Sequence, residues 1–491
     1  MRYISKVSKL QIKNIITNNK KYCYLIVFSI ALILRLIPEI LPLPYPIGYD
    51  VINYYLPVMK NFDGYWPTIS NQFSFYVSLL YAISEVFHVD PRLIISSSIV
   101  LVFGLFSLVI FSIARNLLHL NNLQSIFLSV FVMFQVSLLR TSWDLHKDML
   151  AITLTFFCLL CIARIPNLSK KMVAVIVPLS IISVLADRMI GFLLSLSLIV
   201  SSFVKRDILL MYLVIIITVV YGISLVANFD TFSSNLNLVG SNDKINEIYN
   251  PVNLIVLFLV MNAILLPSGL VGLIKSKIII FKIPFFISLL GSFSWILFPN
   301  TSAFLPDRWI VIFSIFLSLF AGHGFVTLIE NRHIAISKKK LNNYLVIIIP
   351  FLFLGSAFAM SPNNSYLNVY GIFHPYISHY GPLTMQYNSI SLPESRSLLS
   401  VIDWINNNTN TPEGSVIMGS KHIRGWMELE LHNRTFLFAD NNTRLLESNK
   451  NDQLYLLELK SRQTTEIPEN YLQTLSYNST DFSLYYLKRI D

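Results

Sequence analysis

Five acids and five bases stand in short polar segments between the long apolar runs of this 491-residue chain. Asp50 is the lone carboxylate of "YPIGYDVINYYLP" (45–57), a stretch that also offers Tyr49 and Tyr54. Asp144 and Asp148 lie in "LLRTSWDLHKDML" (138–150), with Arg140, His146 and Lys147 beside them. Asp187 and Arg188 share "ADRMIG", and Asp307 and Arg308 close "PNTSAFLPDRWI". A carboxylate in such a group can take a proton from a hydroxyl or hold a cation. A guanidinium can stabilise an oxyanion or a phosphate. If a helix begins within 138–150, Asp144 and Asp148 are four apart and lie on one of its faces.

The elements that must position these groups are membrane helices. The chain is 54% hydrophobic and only 13% charged, whereas a soluble chain carries about a quarter charged residues. Apolar runs near twenty residues recur from about 22 to 360, each able to cross ~30 Å of hydrocarbon as a helix. The fold class expected is a mainly α, polytopic transmembrane helical bundle with a small C-terminal α/β domain. About eleven spans are expected: 22–42, 91–114, 123–140, 149–164, 172–187, 189–204, 208–228, 253–274, 278–298, 309–328 and 342–360. The net charge of +10 is unevenly distributed, which favours a bilayer over nucleic acid as its cause.

Residues 1–21 are basic and end in no cleavage site, so they read as a cytoplasmic N-terminus and not as a removable signal. Threading from there puts Arg115, Arg164, Lys170, Lys171, Lys205, Arg206, Lys275, Lys277, Lys282, Arg332 and Lys338–Lys340 inside. Before residue 361 the outside keeps only Lys60, Arg92, Arg140, Lys147, Arg188, Lys244 and Arg308. The same threading makes "FSFYVSLLYAISEVFH" (73–88) a helix lying at the outer face, because a further span would flip every later loop. The first outer loop is then 43–90, and the others are 140–148, 187–188, 229–252 and 299–308. All ten acids and bases of the opening paragraph fall at that one face.

After a membrane domain over 22–360 and a linker at 361–387, residues 388–491 change character. Charged residues and Asn become common and long apolar runs stop. "SRSLLSVIDWI" has helical spacing, while "SVIMG", "TFLFAD" and "FSLYYLKR" read as strands, giving an extracytoplasmic soluble domain. Sequons at Asn300, Asn363, Asn407, Asn433, Asn441 and Asn478 are outside on this scheme, and one at Asn167 is inside. Cys23, Cys158 and Cys161 lie in or beside apolar spans, where they read as small apolar side chains. No Gly-rich phosphate loop and no internal repeat is found.

Ionisable groups at membrane depth are costly unless paired or functional. Interfacial pairs such as Asp187–Arg188 are the plain alternative for each residue singly. As a set they match one chemistry, the movement of a sugar from a lipid-linked phosphate to an acceptor. Asp50, with Asp144 or Asp148, supplies the carboxylate. Arg308, with Arg140, Lys147 and Arg188 behind it, supplies the cation for the leaving phosphate. Apolar helices hold the polyprenyl chain. Tyr49, Tyr54 and His146 are candidate substrate contacts.

The order of elements resembles the GT-C class of membrane glycosyltransferases. A first helix is followed by "PIGYDVINYYLP", an outer-face helix, "DPRLIISSSIVLVFGLFSLVIFSIARNL" and then "SLLRTSWDLHKDMLAITLTF". The last piece is similar to the second-loop acidic motif of oligosaccharyltransferase catalytic subunits and protein mannosyltransferases. The tail "VIDWINNNTNTPEGSVIMGSKHIRGWMELELHNRTFLFADNN" resembles the archaeal oligosaccharyltransferase stretch that runs from W-x-x-x-N-T-P through a strand to WWDYG. This chain has "SKHIRGW" where WWDYG would stand, and its first loop has no D-x-D. The resemblance implies a polyprenyl- or dolichyl-phosphate sugar donor, a glycan, lipid or protein acceptor, and Asp50 as the catalytic or metal-linked carboxylate. No metal or other cofactor is expected, a divalent ion being the less favoured alternative. Also open are an oligosaccharyltransferase-like transfer to protein and, in another class, a polysaccharide polymerase, flippase or transporter.

Overall fold

The structure, a computed structural model, describes residues 20–46, 48, 50–60, 75–164, 168–226, 251–297, 305–331, 346–347, 349–350, 392–408, 415–420, 423–438, 454–460 and 471–490. It is mostly helical, with a small C-terminal sheet. In chain order come α1 (Lys20–Ile40), a π-helical turn (Val51–Tyr55) running into α2 (Leu56–Lys60), α3 (Phe75–Phe87), α4 (Pro91–Asn116), α5 (Asn122–Met133) and α6 (Val136–Asp144). They are followed by α7 (His146–Arg164), α8 (Lys170–Ala186), α9 (Arg188–Lys205), α10 (Ile208–Val226), α11 (Pro251–Asn262) and α12 (Leu266–Lys275). Then come α13 (Ile279–Ser292), α14 (Ser294–Leu297) and α15 (Pro306–Asn331).

Among the described residues six helices, α1, α4, α7, α9, α10 and α15, are long and apolar enough to cross a membrane. Two pairs are bent at a short break, α5–α6 by 58° and α11–α12 by 67°, and the total reaches eight if each pair is one span. This is fewer than the eleven expected. The run at 172–187 forms a helix of 17 residues, and the run at 278–298 splits into α13 and α14. Most of 342–360 lies outside the described residues. The helix expected at 73–88 is α3. Its 13 residues rise about 20 Å, short of a bilayer's apolar thickness.

Local sequence sets where these helices start. Asp90 caps α4 by accepting from the Arg92 amide at 2.7 Å, with Pro91 in the first helical position. Asn121 and Gln124 cap α5 reciprocally. Asp187 caps α9, accepting from the Ile190 amide at 2.9 Å. Phe156 of α7 then stacks on Phe316 of α15 at 4.6 Å and meets Phe106 of α4 edge-on at 5.3 Å, joining three helices in one apolar core. By contrast the uncharged α10 turns Tyr212, Ile215, Val219 and Ile223 outward, largely uncovered.

The C-terminal unit is α16 (Leu392–Asn407), β1 (Val416–Gly419), α17 (Arg424–Glu430), β2 (Thr435–Phe438), β3 (Leu454–Leu459), β4 (Tyr471–Asn478) and β5 (Phe482–Arg489). The expected helix and three strands are all present, and β3 and β4 are additional. The sheet order is β2-β1-β3-β5-β4, parallel across β2-β1-β3 and antiparallel across β3-β5-β4. Leu398, Val401, Ile402 and Ile405 of α16 pack in one apolar cluster with Ile417, Leu457 and Leu484 of the sheet. The same cluster takes in Val51, Ile52, Tyr55 and Leu56 of the first loop and Tyr76 of α3. The sheet unit and the loop that carries Asp50 therefore share a core.

Candidate active site

Three acids from separate segments meet three bases at the end of the bundle next to the sheet unit. Arg308, in the first turn of α15, reaches Asp148 in the first turn of α7, with Nη1 4.0 Å from Oδ2. Lys147 pairs with Asp187, Nζ to Oδ2 at 3.8 Å. Asp148 and Asp187 lie side by side, carboxyl against carboxyl. Asp50 faces the same cations. Burial pushes its pKa above the ordinary carboxylate value, and Arg308, then Lys147 and Arg140, pull it part of the way back. A carboxylate raised in this way is a better proton acceptor than a free one.

Backbone geometry brings Asp50 here. Gly48 has φ of +107°, and a Cβ at this position would run into the Trp143 carbonyl oxygen. Only glycine lets the loop lie against the end of α6 at that angle. The side chain of Asp144 lies on the same spot, its Oδ1 3.4 Å from where that Cβ would be. Asp50 itself stands directly before a π-helical turn closed by the Leu56 amide on the Val51 carbonyl. Such turns recur at functional sites.

Asp144 and Asp148 do not share a helical face. Leu145, with φ −102° and ψ 56°, breaks the chain between α6 and α7. Asp144 thus ends one helix, and Asp148 opens the next. Both are buried, and only Asp148 joins the ion pair with Arg308.

Behind the acids lies a charged pair that the apolar run of α1 hid. Arg35 is fully buried, with Nη2 2.5 Å from Glu39 Oε1. Its Nε and Nη2 donate to the Ser142 carbonyl at 3.1 and 3.0 Å, and Ser96 Oγ donates to Glu39 Oε2 at 2.7 Å. The pair therefore pins the last turn of α6, two residues before Asp144. The signal was present as Arg and Glu four apart in "LILRLIPEI", an ionisable pair inside a candidate span.

The sheet unit docks through α17. The Gly425 amide donates to Asn53 Oδ1 at 2.9 Å, and a Cβ on Gly425 would collide with the Ile52 carbonyl. Trp426 packs on Tyr45 at 4.7 Å, with the Arg92 guanidinium 4.5 Å above the same Tyr45 ring. Arg92 also pairs with Glu430 at 2.8 Å, and Lys60 Nζ donates to the Leu429 carbonyl. Part of the "SKHIRGW" segment thus rests on the turn that begins at Asp50.

The other expected site residues divide. Arg140 is buried on α6 and faces Asp50. Arg188 sits half-buried near Asp187 and Tyr221, although the ion pair of Asp187 is made with Lys147. His146 is fully buried, its Nε2 3.2 Å from the Trp143 carbonyl and its ring 6.1 Å from that of Tyr55, so it backs the site wall. Tyr54 is half-buried at the loop surface. Tyr49 lies outside the described residues. Among the described residues no three His, Cys, Asp or Glu side chains come together as a metal site. No protein-family model matches the chain, and no curated protein matches it either.

Proposed function

We propose that this chain is a multi-pass membrane glycosyltransferase that moves a sugar from a polyprenyl- or dolichyl-phosphate donor to an acceptor at the extracytoplasmic face. The observation that carries the reading is the meeting of Asp50, Asp148 and Asp187 with Arg308, Lys147 and Arg140 at one end of an apolar bundle. The uncovered apolar face of α10 supports a lipid surround. The Lys/Arg asymmetry supports placing the site outside, with the N-terminus in the cytoplasm.

In this mechanism the acceptor oxygen attacks the anomeric carbon while Asp50 takes its proton. The bond between that carbon and the phosphate oxygen breaks, and the lipid phosphate leaves with the electron pair. Arg308, with Lys147 near it, stabilises the charge that grows on the leaving oxygen. Asp148 and Asp187 hold those two cations in place. The α17 segment covers the loop and is positioned to select the acceptor.

The test is transfer of radiolabelled sugar from a panel of polyprenyl-phosphate monosaccharides by the purified protein in nanodiscs. The expected result is acceptor-dependent release of polyprenyl phosphate by wild type and its loss in Asp50→Asn. No turnover with any donor overturns the reading. The bent pairs α5–α6 and α11–α12 favour one competitor, since broken helices also build transporter sites. Flux of a lipid-linked sugar across proteoliposomes without bond cleavage would establish it instead.

A further inference from the structure

We propose that the Tyr55 hydroxyl donates a hydrogen bond to a phosphate oxygen of the lipid-linked donor, beside Arg308, an assignment that rests on the transferase reading above. Tyr55 lies five residues past Asp50 in the first loop.

Two tyrosines sit side by side at the base of the loop, their rings 6.1 Å apart, Tyr55 at 4% exposure and Tyr76 at 1%. The Tyr76 hydroxyl is bonded to Ser98 Oγ at 2.7 Å. The Tyr55 hydroxyl is buried with no hydrogen-bond partner among the described residues. Burying a hydroxyl unbonded costs about 1–3 kcal/mol, so the contrast between two equally buried neighbours needs a cause. The ring of Tyr55 is held by Tyr76 and by His146, each about 6 Å away. Its hydroxyl is therefore fixed in direction while unsatisfied, as suits a group that meets a ligand.

The backbone explains where that hydroxyl points. In an α-helix, residues five apart face roughly 140° away from each other, at about 100° per residue. The turn at Val51–Tyr55 is π-helical, bonded from Leu56 back to Val51, and the wider turn brings residues five apart round toward one side. Asp50 and Tyr55 are such a pair. Accordingly Tyr55 faces the acid–base cluster: burial raises its pKa well above the phenol value, Asp50 and then Asp148 raise it further, and Arg308 opposes them. The phenol stays protonated and acts as a donor.

The ligand follows from the neighbours. An oxygen reached by both a phenol O–H and a guanidinium accepts two hydrogen bonds, and an anionic oxygen accepts them most strongly. The carboxylates of Asp50 and Asp148 repel an anion from one side, while Arg308 and Lys147 attract it from the other. A phosphate oxygen at Arg308 gains a second, neutral donor from Tyr55 without any added charge in the site.

Tyr55→Phe removes one atom and keeps the ring packing. The test measures binding of geranylgeranyl monophosphate, and of geranylgeraniol as the same chain without phosphate, to full-length wild type, Tyr55→Phe and Tyr76→Phe in nanodiscs. Tyr55→Phe is expected to weaken phosphate-lipid binding by about tenfold or more, the loss of one hydrogen bond to a charged group. Alcohol binding should stay within about twofold, and Tyr76→Phe should bind both like wild type. Equal phosphate-lipid binding by wild type and Tyr55→Phe overturns the inference, as does a parallel loss for the alcohol or no phosphate-lipid binding by either. The two levels separate. Transfer abolished by Asp50→Asn with unchanged binding in Tyr55→Phe removes only this inference, whereas selective binding loss without any sugar transfer removes only the transferase reading.

Discussion

Arg308 pairs across the bundle with Asp148, Nη1 to Oδ2 at 4.0 Å, and not with Asp307 beside it in the chain. At that separation the contact is electrostatic and leaves the guanidinium able to take a ligand oxygen. Arg308→Lys keeps the charge but loses the paired donors. It should retain part of donor binding and lower turnover by about 10²–10³, and Arg308→Ala should lose both. Near-normal transfer by both variants would reassign the phosphate site to Arg188 or Arg140.

Asp50→Asn keeps the shape and removes the proton acceptor, so turnover should fall by ~10²–10⁴ with expression unchanged. The pH dependence carries a sign. Folded Asp50 holds its proton more tightly than the unfolded chain does. Wild-type turnover should therefore rise with pH through a pKa above the ordinary carboxylate value. The stability from Asp50 runs the other way: it is present below the unfolded carboxylate value and lost as pH rises through the folded one. Thermal unfolding against pH should lose that component in Asp50→Asn, and profiles identical to wild type in both rate and stability would rule out Asp50 as the base.

Gly425→Ala should loosen the sheet unit from the loop. The added methyl meets the Ile52 backbone and not a movable side chain, a misfit worth about 1–3 kcal/mol. Hydrogen exchange over 50–60 and 424–430 should speed up together while β3 and β5 stay protected. Unchanged exchange in both segments would show that the contact does not hold the unit.

Arg35→Met strands Glu39 as a buried, unpaired charge, at about 3–5 kcal/mol. Arg35→Met with Glu39→Leu should recover most of that, though not all, because the Ser142 carbonyl still loses its donor. Thermal unfolding in detergent measures both. A single variant as stable as wild type would remove the pair from the support of α6.

Cysteines introduced at the exposed Ser400 and Thr474 should react with a membrane-impermeant maleimide in intact cells, in a background lacking Cys23, Cys158 and Cys161. Labelling only after lysis would invert the topology and move the proposed site to the cytoplasm.

The local elements were legible in the residue order alone. An apolar run that must satisfy its own backbone bonds becomes a helix, and the runs at 91–114, 189–204 and 309–328 are α4, α9 and α15. The 73–88 segment expected as a helix became α3, and "SVIMG", "TFLFAD" and "FSLYYLKR" became β1, β2 and β5. The collection of acids and bases was also legible, because charges between apolar runs stand out by type. Partnership was not. Asp187 precedes Arg188 in the chain but takes Lys147 as its ion-pair partner, and Arg35, read as part of a span, holds the carbonyl of Ser142. Asp144 and Asp148 have helical spacing, yet Leu145 puts them on different helices. Tyr55 acquires its direction from a π-turn that no residue type announces. Periodicity reports which face of a segment is apolar, since that depends on residues within a few positions. Which side chains touch depends on how helices far apart in sequence cross and where they break, and only the packed tertiary structure decides that.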